Sequence, residues 1–87
     1  MSEFDKLMRA AAQGNLEAQH NLGKGYFNGE GVGQDYAQAA KWFAKAAEQG
    51  NAAAQCFLGF CYSNGEGVAR DVAQAAIWLT KSAEQGF

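Results

Sequence analysis

The side chains that could support nucleophilic chemistry in this chain are one histidine and two cysteines. His20 and Cys56 are separated by 36 positions and belong to two similar segments, so they face one surface if those segments stack. Neighbouring helices pack about 8–10 Å apart, whereas a nucleophile and its base must approach to about 3 Å. No acidic residue is placed to orient His20. The sequence therefore predicts no catalytic site and no enzyme, with a hydrolase kept as an alternative.

The same residues do not suffice for a metal site. A structural zinc ion needs about four ligands at suitable spacing, and His20, Cys56 and Cys61 supply three at most. The two cysteines lie five residues apart in one predicted helix, which turns them about 140° away from each other and excludes a disulfide between them. Free thiols fit a reducing compartment. We expect no metal and no cofactor.

Charge and hydropathy argue against nucleic-acid binding and against insertion into a membrane. The 87 residues carry a net charge of -2 and no basic run, so binding to nucleic-acid phosphates is not expected. No apolar run approaches the roughly 20 residues that span a bilayer. The N-terminus lacks the apolar core and cleavage site of a signal peptide, which predicts a cytoplasmic protein unless a targeting segment has been removed. A composition of 48% hydrophobic residues indicates a folded domain.

An internal repeat organises the chain. Residues 15–50 recur as residues 51–86, with 22 identities in 36 positions. The segment before them resembles the second half of a unit, because its AAQG string matches AEQG at the end of each copy. We therefore divide one structural domain into residues 1–14 (a half-repeat that caps the array), 15–50 (the first repeat) and 51–87 (the second repeat).

Each copy has the pattern of a helix, a glycine loop and a second helix. Asn15 and Asp35 precede apolar stripes of helical period and are predicted N-caps, with Gln38 completing a variant of the capping box. The strings NGEGV between the helices are turns; their glycines lack the spacing of a nucleotide-binding loop. Five helices are predicted, with no strand. Their expected bounds are residues 2–13, 16–27, 36–48, 52–63 and 72–85.

Two repeated residue types indicate packing. Gly23 recurs as Gly59 inside the first helix of each copy, where glycine costs about 1 kcal/mol relative to alanine. We interpret this as a place where a neighbouring helix comes too close for a side chain. Val32 and Val68 are predicted to plug the loops against the helices.

The spaced pattern A-x-x-x-L-G-x-x-Y-x-x-G-x-G-V-x-x-D-x-x-x-A-x-x-W-x-x-x-A-x-x-G resembles the Sel1-like repeat, a relative of the tetratricopeptide repeat. It covers residues 15–86 and departs from the family where Gly33 and Ala69 replace a frequent proline. The resemblance implies an all-α fold, a right-handed α/α solenoid. It also implies a non-catalytic adaptor or scaffold that binds a protein or peptide partner.

By analogy with peptide-binding tetratricopeptide repeats, the first helices would line a concave binding face. These positions differ most between the copies, which we interpret as freedom from packing. Lys24 alone does not make a carboxylate clamp, which needs several converging cations. Phe57 and Phe60 have the alternative role of filling space between helices. The expected binding residues are Glu17, His20, Asn21, Lys24, Phe27, Cys56, Phe57 and Phe60, with Ala53 and Ser63 beside them.

The last predicted helix has an uncovered stacking side. Ile77 stands where the first copy has Lys41, and Trp78 and Phe87 add apolar surface. Two alternatives remain open: this edge joins another molecule in a homo-oligomer, or the chain is a monomer or part of a longer array.

Overall fold

The helices begin where polar side chains can cap them. A computed structural model describes residues 2–87, and each helix in this range starts after a residue whose side chain accepts a backbone N–H from its first turn. The caps are Ser2, Asn15, Asp35, Asn51 and Asp71. The helices are α1 (Glu3–Ala12), α2 (Leu16–Asn28), α3 (Tyr36–Glu48), α4 (Ala52–Asn64) and α5 (Val72–Glu84).

The capping box predicted at α3 is only half formed. The Asp35 side chain accepts the N–H of Gln38 at 3.1 Å, as expected. The N–H of Asp35 itself donates to the carbonyl of Tyr26 at 2.9 Å, so it is already paired when α3 begins. In a complete capping box the Gln38 side chain would accept the N–H of Asp35. That N–H is already bonded to the carbonyl of Tyr26 on α2, so the second half of the box does not form.

The five helices form an α/α solenoid in which each helix packs on the next one along the chain. Small side chains dominate the contacts, so the helices approach closely and the core consists mainly of alanine around a few larger residues. No strand is present within residues 2–87, and none of the helices there is long and apolar enough to cross a bilayer. The main buried cluster contains Ala39, Ala40, Phe43, Ala46, Ala47, Ala54, Leu58 and Cys61.

Phe43 is the largest fully buried side chain, and its position explains the glycine in the middle of α2. A Cβ atom added to Gly23 would lie 2.6 Å from ring carbons of Phe43. In the second repeat, a Cβ atom on Gly59 would meet Leu79 at 2.6 Å. The interpretation that these glycines allow a close helix approach is confirmed.

In each repeat a buried glutamine forms a hydrogen bond to the helix that precedes the repeat. The Gln55 side-chain amide donates to the carbonyl of Ala47 at 3.2 Å, and its Oε1 accepts from Gln85 Nε2 at 2.8 Å. The side chain thus joins α4 to the end of α3 and to the end of α5. Gln19 makes the equivalent bonds in the first repeat, to the carbonyl of Ala11 and from Gln49.

The glycine loops have different surroundings in the two repeats. Val32 and Val68 are both half-buried, and Val68 packs against the main cluster, as expected of loop plugs. Gly31 and Gly67 hold equivalent left-handed conformations, at φ 79° and φ 77°. A Cβ atom on Gly67 would overlap the carbonyl of Tyr36, whereas one on Gly31 would meet nothing within 4 Å. The second loop therefore rests on the first turn of α3.

This difference predicts unequal effects of one substitution. Gly31→Ala should lower the free energy of unfolding by about 1 kcal/mol, the cost of a left-handed alanine. Gly67→Ala should lower it by about 3 kcal/mol, because the methyl group must also displace backbone. Urea denaturation of both variants measures the difference, and equal losses would show that the loop does not rest on α3.

Candidate functional site

The predicted binding residues of α2 and α4 are called here the α2–α4 face. Four of these residues are exposed and form its surface: Glu17, Asn21, Lys24 and Phe60. The others are half-buried: His20, Phe27, Ala53, Cys56, Phe57 and Ser63. Phe60 is 49% exposed, a large apolar surface for a side chain in mid-helix.

An aromatic cluster supports this face from below. Phe57 stacks on the buried Phe43, with ring centroids 4.8 Å apart and planes at 6°. His20 and Phe27 lie at the edges of the stack, with centroids 6.0 Å and 6.3 Å from Phe57. Tyr36 extends the cluster outward, 5.0 Å from Phe27. Side chains from α2, α3 and α4 thus interlock, and this fixes the two first helices relative to each other.

The cluster changes the interpretation of the positions at which the copies differ. His20, Phe27 and Phe57 diverge from their counterparts, yet each is half-buried and not free of packing. His20 and Phe27 contact Phe57 across the boundary between repeats. At these positions, divergence between the copies does not indicate freedom from packing.

The histidine is held in its neutral form. Burial lowers the pKa of His20, and the Lys24 ammonium one turn away lowers that pKa further. His20 Nε2 is buried and has no hydrogen-bond partner among the described residues. A neutral imidazole between aromatic rings acts mainly as a packing group at neutral pH.

The two thiols differ in environment. Cys61 is buried in the main cluster; burial raises the pKa of its thiol to about 11, and Glu66 adds to the shift. Cys56 is half-buried, and both cysteines are free. The protonated, buried thiol of Cys61 is therefore a packing group and a poor nucleophile. Within residues 2–87, no three His, Cys, Asp or Glu side chains converge as metal ligands would.

The predicted C-terminal edge is only partly exposed. Ile77 is 48% exposed and Phe87 is 65% exposed. Trp78 instead turns inward, where it packs half-buried against the main cluster, and the Lys81 ammonium lies 5.1 Å from the centre of its ring. The apolar surface of the edge therefore comes from Ile77 and Phe87.

The repeated helix pairs and the equal spacing of packing residues in the two copies define a class of helical repeat protein. The family model of the Sel1 repeat matches residues 16–51 and 52–87, which together cover most of the chain. The chain belongs to the Sel1 repeat family. Proteins of this family generally mediate protein–protein interaction and act as non-catalytic scaffolds.

Solved structures show the same architecture. A protective antigen of uropathogenic Escherichia coli strains, described as displaying an SLR fold, is 49% identical over 95% of this chain, with a TM-score of 0.91. A Sel1 repeat protein from Oxalobacter formigenes is 48% identical over 93% of the chain, also with a TM-score of 0.91. Helicobacter pylori cysteine rich protein B is 27% identical over 97% of the chain, with a TM-score of 0.88.

These proteins are longer than the present chain. The matches span 18% of the Escherichia coli antigen, 23% of the Oxalobacter protein and 63% of the Helicobacter protein. A comparison with curated proteins gives no match. The similarity to these solved structures therefore concerns the repeat unit and the way repeats stack.

The lowered pKa of His20 predicts a specific pH dependence. As the pH falls below 6.5, the unfolded chain binds a proton before the folded chain does, so the free energy of unfolding must fall between pH 7 and pH 5.5. His20 is the single histidine, so a His20→Gln variant should lose most of this slope. Urea denaturation across this range measures it. Equal slopes for wild type and variant would contradict the assignment.

Proposed function

We propose that the α2–α4 face binds a protein or peptide partner. The observation that carries this proposal is that Lys24 and Phe60 hold equivalent positions on successive first helices and are both exposed. A cation on α2 and an aromatic ring on α4 can bind a carboxylate or carbonyl group and an apolar side chain of one partner segment.

The support beneath the face favours binding without rearrangement. Phe60 belongs to the same helix as Phe57, whose ring is stacked on the buried Phe43. The backbone that carries Lys24 is fixed in the same way, because α2 lies against Phe43 through Gly23. A preformed backbone reduces the conformational entropy that is lost when a partner docks, which improves affinity for a given set of contacts.

The charges on the face limit the kind of partner. Lys24 is the one basic side chain among the predicted binding residues, and Glu17 lies two turns before it on the same helix. A peptide terminus held by several converging cations is therefore disfavoured. We infer a partner segment, extended or helical, that presents an apolar side chain to Phe60 and one acidic or hydrogen-bond-accepting group to Lys24. Because both cysteines are free thiols, we place this interaction in a reducing compartment, the cytoplasm.

The test compares partner capture by wild type and by a double variant of the α2–α4 face. A Lys24→Ala and Phe60→Ala double variant should lose partner capture by about tenfold or more, because it removes the cation and the aromatic surface together. Alanine at two exposed helical positions should leave the helix content intact. Pull-down from the native lysate, followed by mass spectrometry, identifies the proteins that wild type retains and the double variant does not.

A matched control tests whether any loss of partner capture is specific to the α2–α4 face. Lys45→Ala with Val72→Ala also removes one exposed cation and one exposed apolar side chain, from α3 and α5. This control should retain the partner. If every protein captured by wild type is also captured by the Lys24/Phe60 variant, the α2–α4 face is not the binding site.

A further inference from the structure

The guanidinium of Arg70 is held in place at the C-terminal end of α4. Its Nε donates to the carbonyl of Ser63 at 3.1 Å, one of the carbonyls that have no partner inside the helix because α4 ends there. The side chain starts close to the helix cap, since a Cβ atom on Gly65 would lie 3.3 Å from the Cβ of Arg70. The side chain is therefore fixed at both ends, although Arg70 is exposed.

The first repeat makes the same contact with an uncharged residue. Gln34 holds the position of Arg70 and donates from Nε2 to the carbonyl of Phe27 at 2.8 Å. The same amide lies 3.4 Å from the hydroxyl of Tyr36, whose ring packs on that of Phe27, so Gln34 borders the α2–α4 face. Bonding the carbonyl at the helix end thus needs a donor but no charge.

The charge of Arg70 is not neutralised by the carboxylates near it in the sequence. Glu66 accepts from the side chain of Asn64 at 3.0 Å, and Asp71 accepts the N–H of Gln74 at 3.0 Å. Arg70 forms no ion pair within residues 2–87. Because its Nε is already bonded, the two Nη groups remain as parallel donors, an arrangement that binds a carboxylate through two hydrogen bonds.

We propose that Arg70 is a further binding residue of the α2–α4 face and that it selects a partner segment with an aspartate or glutamate side chain. This inference rests on the proposed function of that face. Phe60 lies one turn before Ser63 on α4, so the Arg70 guanidinium extends the site from the exposed ring toward the end of the helix. The partner presents an apolar side chain to Phe60 and a carboxylate to Arg70.

The exposure of these two residues does not depend on where the chain ends. Lys24 and Gln34 hold the same positions in the first repeat, which is followed by another repeat, and both are exposed. A further repeat packed on the second in the same way would therefore leave Phe60 and Arg70 accessible.

The length of helix between the two contacts limits the spacing of the partner groups. From Phe60 to Ser63 the helix rises about 4.5 Å, and the guanidinium lies beyond the Ser63 carbonyl. Side chains two residues apart in an extended segment are separated by about 7 Å, and those three or four apart in a helix by about 5–6 Å. The acidic residue should thus lie about two to four residues from the apolar one.

Selection from a displayed library of random peptides, with the full chain as bait, tests the inference. Peptides retained by wild type should be enriched in Asp or Glu at about two to four residues from an apolar side chain. Synthetic copies with blocked termini should bind about five- to tenfold more tightly than copies with Asn or Gln in place of the acid. Fluorescence anisotropy measures both affinities, and this comparison needs no variant of the protein.

Arg70→Gln separates the binding role of this residue from its structural role. Glutamine stands at this position in the first repeat, so the variant should keep the bond to Ser63 and the stability that urea denaturation measures. It should bind the acidic peptides about five- to tenfold more weakly than wild type and no longer prefer them over the amide copies. Arg9→Gln removes the other arginine, exposed on α1, and as the matched control should bind like wild type.

Two results would overturn the role of Arg70 alone. One is a set of wild-type peptides without enrichment of acidic side chains, and the other is an Arg70→Gln variant that still prefers the acidic copies. A different result rejects the α2–α4 face itself, and this inference with it: wild type retains no more peptides than the Lys24/Phe60 double variant. The selection therefore distinguishes failure of the inference from failure of the proposed function.

Discussion

The hydrogen bonds of one buried glutamine hold the second repeat on the first. Gln55 is almost completely buried, donates to the carbonyl of Ala47 at the end of α3 and accepts from Gln85 beyond α5. A buried amide without partners would cost about 1–3 kcal/mol, so α4 is stable only in the register that satisfies both groups. The stack of Phe57 on Phe43 is formed in the same register, so the hydrogen bonds and the aromatic contact act together.

The α2–α4 face depends on this register. With α4 fixed on α3, the ring of Phe57 lies flat against Phe43, and His20 and Phe27 close around it from α2. Phe60 is carried on the same helix, one turn further on, and so is held at a defined place relative to Lys24. The glycine loop of the second repeat then rests against Tyr36. Fold and face therefore share one set of contacts.

Local signals in the sequence were enough to predict the helices. The caps Asn15 and Asp35, and the glycine that makes room for Phe43, depend on contacts within one repeat, and the same residue types recur in the second copy. The cluster around Phe57 was not predictable in this way, because it forms between repeats and from residues that differ between them. Gln55 did carry a signal: Gln19 repeats it on a face that is otherwise apolar, where a polar residue needs a partner. The pairing of Asp35 with Tyr26 depends on tertiary contact, which is why the capping box was predicted incorrectly.

The free energy of unfolding of a Gln55→Met variant tests the role of this glutamine most directly. Methionine keeps the length of the side chain and removes both hydrogen bonds, so we expect a loss of about 1–2 kcal/mol. Gln74→Met is the control, because the Gln74 side chain is half-buried and makes no hydrogen bond within residues 2–87; it should change stability by less than about 0.5 kcal/mol. If Gln55→Met is as stable as the control, Gln55 does not hold the second repeat on the first.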